Sequence, residues 1–225
     1  PERSGFLFNY HEAGSPETEP TGGHTLILGR PGSGKSVLMR SILGLHRVTS
    51  GRIRVLGQRI EYERPGPTTE WGVLFQNGAL LSNLTVQENV ELPIALHSDM
   101  PVETRHELAS LKLLMVGLSL SVADKYPSEL SGGMKKKLAL ACSLVHEPEV
   151  VLLDEPTLGV DPVSRREFWD ILTELHLQGI TIFVSTPYMD EAERCHRLAI
   201  LDRGVKVADG SPRELQASTG MHVIE

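Results

Sequence analysis

Hydrophobic and polar positions along the chain predict short strands that alternate with helices. Runs with the apolar, β-branched composition of strands are Phe6–Tyr10, Thr25–Leu28, Gly51–Leu56, Trp71–Phe75, Glu149–Leu153 and Ile180–Ser185. The helical spacing of Val37, Leu38, Ile42 and Leu45 predicts a helix that starts near Lys35. Helices are also predicted over Ser164–Leu177 and Glu191–Arg197. The remaining predicted elements are a loop, His11–Gly23, and a closing hairpin of Leu198–Leu201 and Val205–Ala208. This alternation favours an α/β fold.

The middle of the chain has a different pattern. From about Ala79 to Lys125 it is rich in leucine at helical spacing and has few strand signals, which predicts a helical insertion. Pro93 and Pro101 are expected to mark helix edges, because proline has no amide hydrogen with which to continue a helix.

Composition sets the broad class of the protein. A chain of 225 residues holds one large domain, or one domain with a smaller insertion. Hydrophobic residues form 40% of the chain and aromatic residues only 5%, so the core must be mainly aliphatic, as in buried parallel strands. Cys142 and Cys195 are expected to be reduced thiols of a cytoplasmic protein. No apolar run approaches the roughly 20 residues of a membrane-spanning helix. If the protein acts at a membrane, we therefore expect it to act from the aqueous side through a partner protein.

The charge balance argues against nucleic acid as a partner. The net charge is −7, whereas nucleic-acid binders present a basic face. The densest basic run is Lys135-Lys136-Lys137. Successive helical positions point in different directions, so we interpret this run as a solvated face.

A glycine-rich segment between a predicted strand and a predicted helix carries the first candidate chemistry. The pattern G-x-x-x-x-G-K-[ST] is matched in full by Gly29, Arg30, Pro31, Gly32, Ser33, Gly34, Lys35 and Ser36. Glycines allow successive backbone N–H groups to converge on phosphate oxygens, and the following helix directs the positive end of its dipole at them. Lys35 would reach the β- and γ-phosphates, and the Ser36 hydroxyl would bind Mg²⁺. The segment therefore predicts a nucleotide site.

The second candidate is an apolar strand that ends in two acids, Asp154 and Glu155. Ligands bind in α/β sheets where such strands end, so Asp154 is expected near Ser36 in the Mg²⁺ shell. Adjacent residues on a strand point to opposite faces, so Glu155 is not expected to share that contact. Glu155 would instead accept a proton from an attacking water, which makes it the candidate catalytic base.

A second possible anion site is Leu130-Ser131-Gly132-Gly133-Met134, which precedes a helical pattern. Ser131 is a typical helix-cap residue, and Gly132 and Gly133 leave backbone N–H groups accessible. A single ATP has no use for two cradles so far apart in sequence. The arrangement makes sense if this cradle holds the γ-phosphate of a nucleotide bound to another copy of the chain.

Together these features resemble the ABC ATPase family over nearly the whole chain. The order of motifs matches: the glycine loop, Gln76 after a strand, the LSGGM sequence at 130–134, Asp154-Glu155, and Leu158–Asp161 in the place of the D-loop. The resemblance implies a single domain with a P-loop NTPase core at 1–78 and 136–225. That core would have a parallel-rich sheet with an antiparallel edge, and the helical subdomain would be inserted at 79–135.

The resemblance also implies roles for individual residues. Gln76 would contact the metal or the attacking water and would form the catalytic set with Lys35 and Glu155. The segment Ser131–Gly133 would bind the partner's γ-phosphate, and Asp161 would help to link the two sites. Tyr10 is the candidate for stacking on adenine.

Cofactors and partners follow from the same resemblance. The cofactors would be ATP and Mg²⁺, with Ser36, Gln76 and Asp154 around the metal. The partners would be a second ATPase subunit, identical or different, and integral membrane permease subunits. The protein would be peripheral on the cytoplasmic face of a membrane, where it powers transport.

The chain departs from the family pattern in two places. In the family a histidine usually follows the strand after the D-loop and contacts the γ-phosphate; Pro187 stands in its place and offers no donor. We therefore expect slow hydrolysis with intact ATP binding. Upstream of the glycine loop, the polar segment His11–Gly23 occupies the place of further strand structure, so Tyr10 is either an adenine-stacking residue or a surface tyrosine.

Several hypotheses about the wider function stay open. Gly72–Leu80 and Leu84–Val90 resemble the ATPases of lipid-asymmetry transporters, whereas Gly159–Trp169 and Tyr188–Glu193 resemble those of multidrug and polysaccharide exporters. A membrane-subunit helix or the buried core would contact Leu80, Leu81, Leu84 and Val86. The alternatives are a soluble ABC ATPase without a transport role and a regulatory subunit that relies on a partner for catalysis.

Overall fold

The structure is a computed structural model that describes residues 24–55, 58–60, 62, 71–76 and 78–219. The chain divides into two compact units, one of residues 1–67 and 183–225 and the other of residues 68–182. The predicted strand Phe6–Tyr10 and the predicted loop His11–Gly23 lie outside the described residues. The predicted boundaries of the inserted subdomain, 79–135, stay a prediction.

Strands and helices alternate along the described chain. In chain order they are β1 (His24–Leu28), α1 (Lys35–Ile42), β2 (Arg54–Val55), β3 (Gln58–Arg59), β4 (Trp71–Leu74), α2 (Val86–His97), α3 (Val102–Met115), α4 (Gly132–Ser143), β5 (Val150–Asp154), α5 (Pro162–Leu177), β6 (Thr181–Thr186), β7 (Arg197–Asp202), β8 (Val205–Gly210) and α6 (Pro212–Thr219). Short 3₁₀ helices occur at Leu120–Val122, Pro127–Glu129 and Met189–Arg194.

In the unit of residues 1–67 and 183–225, the strands are hydrogen-bonded in the order β6, β1, β7, β8. Strand β1 runs parallel to β7, with Leu26 opposite Leu198, and β7 pairs antiparallel with β8. Between β7 and β8, Arg203 and Gly204 have φ angles of 48° and 77°, as a two-residue hairpin turn requires. The predicted hairpin and antiparallel edge are therefore confirmed.

The unit of residues 68–182 contains the helical part of the chain. Strand β4 runs parallel to β5, with Leu74 opposite Leu153, and every residue of β5 is buried. Helices α2, α3 and α4 pack on one another, and α5 buries Phe168 and Trp169. Within the described ranges, no helix is both long enough and apolar enough to span a bilayer. Parallel strands alternating with helices confirm the α/β prediction.

Helix α1 begins at Lys35, as predicted, but not all of the apolar residues whose spacing predicted it are buried. Ile42 is buried together with Lys35, Met39 and Ser41, whereas Val37, and Leu45 beyond the end of the helix, are more than half exposed. Residues spaced by three and four share one side of a helix. Lys35, whose ammonium group donates to the glycine loop, is therefore on the buried side of α1, and Val37 is on the exposed side.

Two other boundaries also differ from the predictions. The segment Glu191–Arg197 is not a regular helix: a 3₁₀ helix ends at Arg194 and strand β7 begins at Arg197. Pro101 precedes α3 as predicted, but Pro93 lies inside α2 rather than at its edge. A proline inside a helix leaves the carbonyl four residues earlier without its amide donor. Here the thiol of Cys142 donates to that carbonyl, Asn89 O, at 3.3 Å.

Both cysteines are free thiols, as expected. Burial raises the pKa of each thiol to about 12. At Cys142 this effect outweighs a backbone hydrogen bond that lowers the pKa. At Cys195 the charge of Glu191 makes a smaller contribution in the same direction as burial. A thiol with so high a pKa is protonated at neutral pH and is unreactive. Their role in this structure is packing and hydrogen bonding, since the thiol of Cys142 donates to Asn89 O and that of Cys195 donates to Glu191 O at 3.7 Å.

The buried side chain of Asn89 holds the loop that precedes α2. Its oxygen accepts a hydrogen bond from Leu81 N at 2.8 Å. Its nitrogen lies 3.1 Å from Leu81 O, 3.1 Å from Leu84 O and 2.8 Å from Thr85 O. One amide group therefore contacts several backbone groups of the loop and of the first turn of α2.

We expect Asn89→Asp to lower the free energy of unfolding at pH 7 by about 3 kcal/mol. The change keeps the shape of the side chain but turns a carboxylate oxygen toward three carbonyl oxygens. Urea unfolding followed by circular dichroism measures the difference. Asn83→Asp, an exposed position in the same loop, is the control and should change stability by less than about 0.5 kcal/mol. Equal losses in the two variants would contradict the proposed role of Asn89.

Candidate functional site

The glycine loop is held at both ends by other parts of its own unit. Gly29 N donates to Thr186 O, the last carbonyl of β6, at 3.3 Å. Gly204 N, in the β7–β8 turn, donates to Ser33 O at 2.8 Å. Backbone hydrogen bonds with β6 and with the β7–β8 turn therefore fix the loop between β1 and α1.

The glycines of the loop meet two different requirements. A Cβ atom at Gly29 would lie 2.7 Å from Leu201 O, so only glycine fits there without displacing strand β7. Gly32 and Gly34 have φ angles of 80° and 103°, which side chains other than glycine adopt at a cost. Gly34 is also the N-cap residue of α1, and because it has no side chain it forms no capping hydrogen bond with the first backbone amides of that helix.

Three side chains of the loop have the chemistry of an anion site. Lys35 is buried, and its ammonium group donates to Gly29 O at 2.7 Å and Arg30 O at 3.3 Å. The Oγ atom of Ser33 is buried and has no hydrogen-bond partner in the described part of the chain. Ser36 is half-buried in the first turn of α1, whereas Arg30 and Pro31 are exposed. A buried cation, an unsatisfied hydroxyl and an uncapped helix start fit a phosphate group.

The two acids at the end of β5 are both buried, but they do not lie on the same regular strand. Strand β5 ends at Asp154, and Glu155 has a φ angle of 48°, in the left-handed region. The rule of strand alternation therefore does not apply to Glu155, because its backbone turns at the end of β5; that Glu155 does not share the metal contact of Asp154 stays a prediction. Such a conformation costs about 1–3 kcal/mol for a residue other than glycine and is concentrated at functional sites.

Gln76 lies at the same edge of the second unit as these acids. The parallel register places Leu74 opposite Leu153, so the residues that follow β4 and β5 leave the sheet side by side. Lys136 of α4 joins them: its Nζ donates to Gln76 O at 2.6 Å. Burial lowers the pKa of Lys136, although Glu155 and Asp154 act to raise it.

The interpretation of Lys135–Lys137 as a solvated face is wrong for two of the three lysines. Lys136 contacts Gln76, and the Nζ of Lys137 forms an ion pair with Glu167 of α5 at 2.8 Å. Helix α4 packs between other elements, so consecutive positions meet different neighbours rather than solvent. The spacing of residues in the sequence predicts the direction of a side chain but does not identify the residues that it contacts.

The LSGGM segment begins helix α4. Ser131 is the N-cap residue, as predicted, and its hydroxyl accepts from Met134 N at 3.2 Å. Gly132 is exposed, and a Cβ there would lie 3.8 Å from Gly159 O. Gly133 is buried, and a Cβ there would lie 2.7 Å from Ser164 Cβ. Gly133 therefore lets the starts of α4 and α5 approach closely.

Asp161 has a local structural role as the N-cap of α5. Its carboxylate accepts from Val163 N at 3.1 Å and from Ser164 N at 2.9 Å. The amide and hydroxyl of Ser164, with the Val163 amide, hold the pKa of Asp161 below its usual value. Its predicted role in linking two nucleotide sites stays a prediction.

The remaining candidates are placed as follows. Pro187 directly follows β6, next to Thr186, whose carbonyl oxygen accepts from the glycine loop. Tyr10 lies outside the described residues. Of the predicted metal set, Ser36 belongs to the first unit, and Gln76 and Asp154 belong to the second. The described ranges contain no cluster of three or more His, Cys, Asp or Glu side chains that could hold a metal by themselves.

Three residues to which the sequence assigned no role in the site contact it: Lys136, which was interpreted as part of a solvated face, Ser164 and Thr186. Within the second unit, a cavity of about 390 Å³ is lined in part by Gln76, Gly78, Gly132, Lys136, Leu158 and Gly159. It brings the turn after β4, the start of α4 and the segment before α5 to one place. Only proximity in space identifies these residues, because each belongs to an ordinary residue type at its position.

Comparison with known proteins agrees with this geometry. The sequence pattern of one family, ABC transporter, matches residues 18–158. The chain is 38% identical over 193 residues to a probable multidrug ABC transporter ATP-binding protein, YbhF, of Escherichia coli, and the match covers 86% of this chain and 33% of YbhF. It is 38% identical over 201 residues to the Nod factor export ATP-binding protein I of Burkholderia pseudomallei, covering 88% of this chain and 66% of that protein. The chain thus spans a third of one relative and two thirds of the other.

Two solved structures are similar in fold. The cbiO1 protein from Clostridium perfringens, described as part of the ABC transporter complex cbiONQ, matches with a TM-score of 0.78 at 33% identity, covering 87% of this chain and 79% of that one. The ATP-binding cassette MJ0796, in a dimeric post-hydrolysis state bound to ADP and Pi, matches with a TM-score of 0.77 at 28% identity, covering 84% and 85%.

We expect Gly133→Ala to destabilise the protein by about 2 kcal/mol, because its methyl group would overlap Ser164. Gly132→Ala is the matched control: its methyl group meets no close atom, and alanine favours a helix, so stability should be unchanged or slightly higher. Thermal unfolding of both variants measures the difference. Ser164→Gly, added to Gly133→Ala, should restore part of the loss; no restoration would show that the contact is not the cause.

Proposed function

Because the chain belongs to the ABC transporter family, we propose that it is the subunit that binds and hydrolyses ATP to power a membrane transporter. One observation carries the proposal: a single chain contains two separate helix starts suited to anions. The first is the glycine loop before α1, with the buried Lys35. The second is the Ser131-capped start of α4.

The glycine loop is the proposed site for the triphosphate of ATP. Its backbone amides and Lys35 would hold the phosphates, with Ser33 Oγ as an additional hydrogen-bonding group. Mg²⁺, when bound by Ser36, Gln76 and Asp154, would neutralise charge on the phosphates. Arg30 and Pro31 extend the loop on its exposed side, and Tyr10 remains the proposed adenine contact.

Glu155 is the proposed base of hydrolysis. Its carboxylate is buried next to Asp154, and its backbone is held in an unfavourable conformation that a structural acid would not need. Held there, it would accept a proton from the attacking water, which Gln76 would help to orient. The cation of Lys136 lies close enough to both acids to interact with them.

The active form is proposed to be a dimer. The start of α4 belongs to a different unit of the chain from the glycine loop, and Ser131 is exposed at its tip. Ser131, Gly132 and Gly133 would meet the γ-phosphate held by a second subunit, identical or different. The similarity to MJ0796, which is described as dimeric, supports this arrangement.

The proposed partners of the dimer are integral membrane subunits, with the ATPase on the cytoplasmic face. The relative cbiO1 is described as part of a transporter complex, which supports this. The names of these relatives, a probable multidrug transporter protein and a Nod factor export protein, favour transport of a drug or another hydrophobic compound over the role of a lipid-asymmetry transporter. Purification from membranes distinguishes this role from a soluble ABC ATPase, because only the transporter subunit should be recovered with a multispanning protein.

We expect Glu155→Gln to form a stable dimer in the presence of Mg²⁺-ATP. Without a proton acceptor the bound ATP persists, and the subunits remain joined through it. Gel filtration with light scattering should show a doubled mass that requires ATP. The double variant Glu155→Gln with Lys35→Ala is the control and should stay monomeric. A Glu155→Gln protein that binds ATP but remains a monomer would overturn the two-cradle arrangement.

We expect Pro187→His to raise kcat of ATP hydrolysis by about 10²-fold with little change in KM, because one transition-state donor is worth that much. Pro187 directly follows Thr186, whose carbonyl oxygen accepts a hydrogen bond from the glycine loop, so an imidazole there would lie near the proposed phosphate site. Pro187→Ala is the control, since it removes the proline without adding a donor. Equal rates in the two variants would count against a missing donor; activity only with a partner subunit would favour the regulatory alternative.

A further inference from the structure

Lys136 connects two parts of the candidate site that the sequence leaves separate. We propose that Lys136 is a positioning residue, which fixes the backbone at Gln76 beside the two acids that follow β5. The proposal rests on the proposed ATPase function, because only that reaction gives Gln76 a water or metal to orient. Neither a family motif nor the spacing of the chain assigns this role to the lysine.

The turn after β4 is held on helix α4 at two points. Lys136 Nζ donates to Gln76 O at 2.6 Å, a short bond with a charged donor. One helical turn further, Ala139 Cβ lies 3.7 Å from the position of a Cβ at Gly78. Gly78 itself closes the turn, because its amide donates to Phe75 O at 2.8 Å. The turn therefore lies against one face of α4, with the lysine at its polar end.

Lys136 differs from the two lysines beside it in what its side chain contacts. The neighbouring Lys137 forms an ion pair with Glu167. Lys135 makes no polar contact that the described residues reveal, although it has the same charge and belongs to the same helix. Among these three lysines, Lys136 alone has a hydrogen bond to a described residue of the Gln76 turn.

A fixed carbonyl at Gln76 limits where its side chain can act. A group that orients an attacking water must be held to a fraction of an ångström, and loops achieve this only through supporting contacts. The hydrogen bond from Lys136 is such a contact, on the backbone of the acting residue. Loss of the bond should leave ATP binding nearly intact and should slow the chemical step.

The experiment compares three variants of the full chain: Lys136→Met, Lys136→Arg and Lys135→Met as the control. Amide hydrogen exchange of the nucleotide-free protein reports on the turn directly, without any catalysis. In Lys136→Met the amide of Gly78 should exchange about tenfold faster. The amide of Leu81, which Asn89 holds independently, should not change. Steady-state kinetics should show kcat lowered by about tenfold, with KM changed less than about twofold.

The rescue variant, Lys136→Arg, and the control variant, Lys135→Met, distinguish a positioning role of Lys136 from a general loss of structure. Lys136→Arg should restore both slow exchange and kcat, because a guanidinium can donate to the same carbonyl. Lys135→Met should match the wild type in both measurements. Unchanged exchange in Lys136→Met, or faster exchange with unchanged kcat, would overturn the positioning role. A wild-type protein that never turns over ATP would overturn the proposed function and this reaction role with it, while the exchange measurement would still decide whether Lys136 holds the turn.

Discussion

The structure depends on two glycines that lie so close to a neighbouring segment of the chain that no side chain would fit at their positions. At Gly29 the carbonyl of Leu201 occupies the space of a Cβ, and at Gly133 the side chain of Ser164 does so. Protein interiors are packed too densely for either contact to yield without cost. Strand β7 therefore sets the path of the glycine loop, and α5 sets the start of α4. Each candidate anion site is shaped by a neighbouring segment of its own unit.

Parallel pairing determines which side chains meet in the second unit. Because β4 and β5 run in the same direction, the turn with Gln76 and the acids Asp154 and Glu155 follow their strands at one edge. Two acids at one place need compensation, and Lys136 supplies a cation while it holds the turn. The left-handed backbone at Glu155 adds strain at the same place. Charge, strain and a short hydrogen bond are thus concentrated where the proposed chemistry occurs.

The differences between expectation and structure have identifiable causes. Pro93 was predicted to end a helix, yet α2 continues through it because the thiol of Cys142 takes the orphaned carbonyl. The start of α1 was predicted correctly from hydrophobic spacing, yet its buried side includes Lys35 and Val37 is exposed. At Pro93 a partner distant in sequence overrides a sound local rule, and local patterns contain no information about that partner.

By itself, the sequence determined the class of fold, the order of its elements and the types of residue that suit a nucleotide, because these follow from periodicity and from short-range backbone requirements. It also identified the capping serine of α4 and the hairpin turn, which are local as well. Only the tertiary structure decided that Lys136 meets Gln76, that Gly133 makes room for Ser164, and that Glu155 leaves its strand in a left-handed turn. Such contacts arise when strands pair and helices pack, and residues far apart in the chain become neighbours only then.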